Sequence, residues 1–157
     1  MKRKRSRRRP VALDAERSLI PDEHQEQVVL MRMIQLNLPE LFEHVFAVPN
    51  GGFRNIKTAR YLKAEGVKPG VPDVLCLRAR GPFFGMALEL KRLNASPSNW
   101  GEEQRRWSAL LNQHGYLSVV AKGADKAFEQ FAAYWALGEP SPGRGYDSDV
   151  FQTEWVS

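Results

Sequence analysis

The spacing of apolar residues along the chain alternates between the helical repeat of 3.6 and the strand repeat of 2, which predicts the order of the elements. The first helix opens at Pro21-Asp22, where Asp22 and Gln25 form a capping-box pattern, and it ends before Pro39. Helices are also predicted over 56–65, 100–114 and 124–137, and strands over 44–48, 73–79, 84–91 and 116–121. The order αβαββαβα favours a mixed α/β domain with a small central sheet flanked by helices.

Composition narrows the class of protein. The chain has 157 residues, of which 43% are apolar and 26% charged, as in a globular domain. No apolar run approaches the length of a membrane-spanning helix, so we expect no membrane association. Cys76 is the only cysteine, which excludes an intrachain disulfide and a cysteine-rich zinc site. No secretory signal is visible, so we expect a cytoplasmic protein.

Charge is distributed unevenly. Residues 11–139 carry fifteen basic and fifteen acidic residues, whereas residues 1–10 carry seven basic residues and no acid. We therefore predict a disordered basic arm over residues 1–19, a folded domain over 20–138 and a flexible acidic tail over 139–157. A block of like charge binds a polyanion such as DNA, although a solubilising or targeting tail is the alternative. The basic residues of the arm are Lys2, Arg3, Lys4, Arg5, Arg7, Arg8 and Arg9.

The predicted hairpin carries the candidate chemistry. With its turn centred near Gly81, position 73 lies opposite position 89, so Asp73 and Glu89 converge. Lys91 shares the face of Glu89 because strand residues two apart point the same way, while Leu90 points to the core.

Two converging carboxylates repel each other unless a cation lies between them. Oxygen ligands of this kind suit Mg²⁺ or Mn²⁺, and a nearby lysine can stabilise the charge that develops on a phosphate under attack. The pattern thus predicts a metal site for phosphodiester hydrolysis, with an ordinary charged surface hairpin as the alternative. Buried charge on mostly apolar strands favours the metal site.

Several blocks together resemble one known family. In chain order they are Pro49-Asn50-Gly51-Gly52, Arg54, Gly66-Val67-Lys68-Pro69-Gly70-Val71-Pro72-Asp73, Glu89-Leu90-Lys91-Arg92, and Gln104 with Trp107. From about Glu23 to Trp135 the chain is similar to the virus-type replication-repair nuclease (VRR-NUC) domain. That family belongs to the PD-(D/E)xK nuclease superfamily, so the resemblance implies a restriction-endonuclease-like core.

The resemblance also implies roles for the hairpin residues. Asp73 and Glu89 would be the metal carboxylates, the carbonyl of Leu90 a further ligand, and Lys91 the catalytic lysine. Gln104 matches a glutamine that the family places near the lysine.

The family further tends to have a glutamate on its first helix, facing the site. Glu23 and Glu26 are both candidates, and the spacing from Glu23 to Gln27 favours Glu23. The alternative is the acidic first turn that favours any helix dipole.

Other positively charged or polar residues are candidates for DNA contacts. Asn50 and Arg54 can form a phosphate-binding loop, and Lys57 and Arg60 can follow a DNA backbone along one helix. A plain turn and a solvated helix face are the respective alternatives.

The function that these observations imply is a Mg²⁺- or Mn²⁺-dependent DNA endonuclease. The resemblance suggests a structure-specific enzyme for Holliday junctions, other branched DNA or flaps, and standalone members are often phage-encoded. We also expect a homodimer, because two cuts need two centres. Aromatic residues near the hairpin turn and on the last helix support it weakly, with core packing as the alternative: Phe83, Phe84, Phe128, Phe131 and Trp135. The rival functions are a non-catalytic nucleic-acid-binding module and a protein-interaction domain.

Overall fold

The computed structural model describes residues 21–49 and 56–140 of the chain. The basic arm, the loop residues Asn50 and Arg54, and the acidic tail beyond Pro140 lie outside these residues, so their predicted roles stay predictions. Residue 139, with which the predicted tail begins, is described: the Glu139 carboxylate pairs with Arg80 at 2.7 Å.

The described residues form a four-stranded sheet with helices packed around it. In chain order the elements are α1 (Glu23–Asn37), α2 (Pro39–Phe42), β1 (Val45–Ala47), α3 (Ile56–Ala64), β2 (Val74–Cys76), β3 (Met86–Lys91), a 3₁₀ turn (Pro97–Asn99), α4 (Glu102–Gln113), β4 (Leu117–Lys122) and α5 (Gly123–Ala136). This mixed sheet confirms the predicted fold class, and α2 and the 3₁₀ turn are elements that the predicted order lacks. None of the described helices is long and apolar enough to cross a membrane.

Helix α1 begins where its sequence predicts. Asp22 Oδ1 accepts the backbone N–H of Gln25 at 2.8 Å, and Gln25 Oε1 accepts that of Asp22 at 2.9 Å. This capping box satisfies two of the donors that a helix start leaves open. The helix then buries Glu26, Leu30 and Ile34, which recur every four residues and so form one stripe.

The sheet has the strand order β1-β2-β3-β4. The first three strands are antiparallel neighbours, and β4 runs parallel to β3. Strand β2 is shorter than the predicted strand over 73–79, because its pairing with β3 ends at Cys76. Beyond it, Arg80 donates from Nη2 to the carbonyl oxygen of Trp135 at 2.8 Å, which ties the hairpin turn to the end of α5.

One face of the sheet is covered by α1 and α5. Leu88 and Leu90 of β3 meet Leu30 of α1 and Phe131 of α5 in a single buried cluster. Helix α4 contacts β3 and β4 but has no fully buried residue, and its Leu110 is 43% exposed. This helix therefore packs on the second face of the sheet and leaves that face partly exposed.

The aromatic residues that could indicate a dimer interface mostly belong to the core. Phe131 is fully buried, and Phe83, Phe128 and Trp135 pack against the same cluster. Phe84 is 46% exposed. Core packing thus explains most of the set.

Candidate active site

The register of the sheet decides which side chains share a face. Val74 pairs with Leu88, so the preceding residue Asp73 lies opposite Glu89, as the turn position predicts. Leu88 and Leu90 belong to the core, so Glu89 and Lys91 point to the opposite face. The three charged residues of the predicted site therefore lie together on the face away from the main core.

Asp73 is held at the end of β2 by backbone contacts on both sides. Its Oδ2 accepts the N–H of Leu90 at 2.9 Å, and its carbonyl oxygen accepts the N–H of Val48 at 2.8 Å. The first bond fixes the carboxylate beside β3, and the second fixes the backbone of Asp73 beside the end of β1. Pro72, directly before it, donates no backbone hydrogen bond and is tolerated because it stands ahead of the first strand residue.

Glu89 is the central group of the site. Its Oε1 accepts a hydrogen bond from Lys91 Nζ at 2.7 Å and another from Gln104 Nε2. Gln104 is itself oriented, because its Oε1 accepts the N–H of Gly101 at 2.9 Å. The second oxygen of Glu89, Oε2, is buried and has no hydrogen-bond partner among the described residues. One carboxylate oxygen thus accepts two hydrogen bonds, and the other accepts none from the described residues.

Burial dominates the electrostatics of both carboxylates. Removal from water, aided by the negative charge of Asp73, outweighs the lowering effect of Lys91, and together they raise the pKa of Glu89 to about 7. Burial also raises the pKa of Asp73, although its bond from Leu90 and the charge of Lys91 oppose this. The protein alone does not fully stabilise two negative charges here.

A divalent cation fits this arrangement. Two carboxylates on one face offer hard oxygen ligands, and Glu89 Oε2 is a buried acceptor that lacks a donor. The described residues contain no group of three or more acidic, histidine or cysteine side chains placed to hold one ion. Any metal ion here would therefore rely on Asp73 and Glu89, with backbone oxygens such as that of Leu90 completing the set.

The two helix glutamates occupy different places. Glu23 is exposed on the first turn of α1, whereas Glu26 is buried. Glu26 Oε2 accepts the N–H of Ala124 at 2.7 Å, in the first turn of α5, where a negative charge favours the helix dipole. Among the described residues, neither glutamate forms a group with Asp73 and Glu89 that could hold one metal ion, and Glu26 is the interior one of the pair.

The structure adds a basic residue that the sequence pattern does not indicate. Lys122 of β4 is the register partner of Lys91, so both lysines lie on the same face of the sheet. Lys122 is exposed, whereas Lys91 is 8% exposed. Only the parallel pairing of β3 with β4 shows this relationship, because the two strands are far apart in the sequence.

The predicted DNA-binding residues are only partly described. Arg60 is exposed on α3, and Lys57 lies in the same helix. The seven basic residues of the arm, together with Asn50 and Arg54, lie outside the described residues.

Comparison with known proteins agrees with this fold. The VRR-NUC domain family matches residues 13–125, more than half of the chain. A solved structure described as a VRR_NUC domain protein is similar with a TM-score of 0.67 and 28% identity, covering 78% of this chain and 94% of that one. Comparison with curated proteins gave no significant match. With its match over residues 13–125 and its αβ fold, the chain belongs to the VRR-NUC domain family, and its function is of the nuclease type.

Proposed function

We propose that this protein is a Mg²⁺- or Mn²⁺-dependent endonuclease that hydrolyses phosphodiester bonds in branched DNA, such as a Holliday junction or a flap. The observation that carries the proposal is the placement of Asp73 and Glu89 side by side, with Lys91 on the same face and one buried oxygen of Glu89 open. Membership of a nuclease family makes hydrolysis the natural use of such a site.

Asp73 and Glu89 would hold the metal ion, and Leu90 would add its backbone oxygen. Such an ion supplies Lewis acidity toward the phosphodiester. Lys91 lies within hydrogen-bond reach of Glu89, so its ammonium group stands beside the reacting phosphate and stabilises the negative charge that grows there. In the overall reaction a water oxygen bonds to phosphorus, one phosphorus–oxygen ester bond breaks, and the water proton goes to the leaving oxygen.

Two further residues support the chemistry in different ways. Gln104 acts as a positioning residue, because it fixes the Glu89 oxygen that also meets Lys91. Lys122 extends the positive charge of Lys91 along the same face and is exposed to an incoming phosphate. Glu26 orders the start of α5 next to Lys122, and Glu23 remains a surface residue.

DNA binding outside the site would rest on charge. Arg60 is exposed on α3, and Lys57 on the same helix continues the basic character. We assign further phosphate contacts to the basic arm and to Asn50 and Arg54, since backbone phosphates are the common ligands of such residues.

We further propose that the active form is a homodimer. Each chain carries one hairpin with one pair of carboxylates, so two cuts on opposed strands require two chains related by a two-fold axis. Light scattering with a mass near twice 17.9 kDa, alone or with DNA, is the expected result. The mass of a single chain, measured both without and with DNA, would contradict the proposed homodimer.

The experiment that tests the nuclease proposal uses labelled linear, flap and four-way DNAs of one sequence. Each is incubated with Mg²⁺, with Mn²⁺, and with chelator. We expect cleavage of the branched DNAs with metal, none with chelator, and a loss of at least a hundredfold in Asp73→Asn, Glu89→Gln and Lys91→Ala.

Matched controls separate the site from general damage. Asp125→Asn and Glu129→Gln remove the same groups from exposed positions of α5, and we expect both to cut at the wild-type rate. DNA binding without cleavage by wild-type protein under every metal condition would instead favour the non-catalytic binding module. Wild-type rates in Asp73→Asn would show that the site lies elsewhere.

A further inference from the structure

An apolar cavity of about 340 Å³ lies beside the candidate active site. Its walls include Val48, Pro49, Val67, Val71 and Trp107, and Lys68 lines it as well. Val48 directly follows β1, and its N–H is bonded to the carbonyl oxygen of Asp73, which directly precedes β2. Because neighbouring strands lie about 5 Å apart, the cavity begins roughly one strand spacing from the backbone of Asp73.

The opposite wall is connected to the site through α4. Trp107 follows Gln104 by three residues, so the two side chains lie on one face of the helix, and Gln104 contacts Glu89. The indole N–H of Trp107 donates to the carbonyl oxygen of Pro69 at 3.0 Å, which fixes the ring against the loop before Asp73. The cavity is therefore bounded by the same two elements that position the carboxylates.

The loop between α3 and β2 is itself packed firmly against α4. A Cβ atom at Gly70 would lie 2.6 Å from the carbonyl carbon of Glu103, so only glycine allows this approach. The cavity wall is therefore built into the fold, as is usual for small-molecule and base sites.

The chemistry of the walls limits the occupant. Aliphatic side chains and a tryptophan ring offer a surface for a flat, weakly polar group, and Lys68 offers a cation for an attached anion. A nucleotide has both parts, since a base stacks on aromatic rings with little regard to sequence and its phosphate meets a lysine. A paired base cannot enter, because its flat faces are covered by its neighbours in the duplex.

We infer that this cavity binds the unpaired nucleobase next to the phosphate that is cut. The inference rests on the proposed function and specifies its substrate: DNA in which at least one nucleotide beside the cleavage point is unpaired or becomes unpaired at the branch point. The protein then selects flaps and open junctions over continuous duplex by capturing a base, while Asp73 and Glu89 act on the adjacent phosphate.

The test compares two flap DNAs that differ at one position. In one, the first unpaired nucleotide carries thymine; in the other it is an abasic analogue with the same backbone. Binding is measured by fluorescence anisotropy in chelator, so that no DNA is cut. We expect the wild-type protein to bind the thymine flap about tenfold more tightly.

Val67→Trp fills the cavity from a position that is 39% exposed, so the substitution does not disturb the core. We expect it to bind both flaps with the affinity that the wild type shows for the abasic one. Val28→Trp, on an exposed position of α1 away from the cavity, is the matched control and should keep the tenfold preference.

Three other outcomes decide between the base cavity and the nuclease proposal. Equal binding of the two flaps by the wild type, or a tenfold preference that persists in Val67→Trp, would overturn the base cavity even if the protein cuts DNA. In the third outcome, the wild type prefers the thymine flap, loses this preference on Val67→Trp, and cuts no DNA with Mn²⁺. That result would support base binding by the cavity and overturn only the nuclease proposal.

Discussion

Gln104 on α4 donates a hydrogen bond to the same oxygen of Glu89, Oε1, that accepts the Lys91 ammonium. Two donors on one oxygen leave the other oxygen, Oε2, buried and without a partner among the described residues. The orientation of the carboxylate is thus set from two elements, a strand and a helix. This asymmetry leaves one buried acceptor of the glutamate for the metal ion that we propose.

The contact from Gln104 predicts a loss of activity without a loss of fold. Gln104→Ala removes one of the two bonds that orient Glu89, and groups behind a metal ligand typically contribute ten- to a hundredfold to activity or metal affinity. We expect a fall of that size in metal-dependent cleavage, with a higher metal concentration needed for half-maximal rate. Gln113→Ala, exposed on the last turn of the same helix, should have no effect. A wild-type metal dependence in Gln104→Ala would contradict the positioning role.

The raised pKa of Glu89 predicts how the stability of the metal-free protein depends on pH. Glu89 ionises with a pKa of about 7 when folded, against an ordinary value of 4.5. Between these values the folded state holds a proton that the unfolded state releases, so the free energy of unfolding falls as pH rises through this window. The difference amounts to about 3 kcal/mol, from 1.36 kcal/mol for each pKa unit.

Urea denaturation in chelator at pH 5 and pH 8 measures this effect. Glu89→Gln should lose most of the difference between the two values, whereas Glu129→Gln, exposed on α5, should keep it. Mg²⁺ or Mn²⁺ should restore stability at pH 8 in the wild type more than in Glu89→Gln. A wild-type protein and Glu89→Gln with the same pH dependence would show that Glu89 does not titrate in this range.

The close approach of Gly70 to α4 predicts that adding one methyl group there lowers both stability and the rate of cleavage. Gly70 has φ of 76°, and a Cβ there would meet the backbone of Glu103 and Gln104. Gly70→Ala therefore combines strain of about 1–2 kcal/mol with a displacement of α4 from the loop before Asp73. We expect lower stability and, at temperatures where the variant is folded, slower cleavage because Gln104 shifts away from Glu89.

Gly138→Ala separates strain from displacement. Gly138 has φ of 78° but no atom within 4 Å of an added Cβ, so only the strain remains. We expect a stability loss of about 1–2 kcal/mol with unchanged cleavage. Equal stability and activity losses in both variants, measured by thermal unfolding and by flap cleavage, would show that the approach to α4 has no influence on the site.

The basic arm predicts a salt-dependent contribution to DNA affinity. Deleting residues 1–10 removes seven positive charges, which release up to about six counterions from duplex DNA. We expect the slope of log affinity against log salt to flatten by several units, with cleavage of bound DNA unchanged. A chain of full length with glutamine at the seven basic positions should behave like the deletion. An unchanged slope in both would show that the arm does not contact DNA.

Much of the site could be predicted from the sequence because its parts are local. The turn near Gly81 sets the register of the hairpin, and that register brings Asp73 opposite Glu89. The two-residue repeat of a strand then places Lys91 on the same face. The capping box at Asp22 and Gln25 likewise depends only on residues three apart. Residues that are close in the sequence have few alternative arrangements, so the sequence pattern is enough to predict how they lie.

The remaining features required the tertiary structure, because they join segments far apart in the chain. The sequence spacing favours Glu23, yet it is Glu26 that reaches the start of α5, nearly a hundred residues later, since burial of the Leu30 stripe turns that side of α1 inward. Parallel pairing of β3 with β4 sets Lys122 beside Lys91, and no turn connects those strands to fix their register. The cavity beside Asp73 likewise forms only because Val48 and Trp107, which are distant in the sequence, line the same space. Local sequence thus determined the arrangement of the charged residues on the hairpin, whereas packing between distant segments decided what surrounds them.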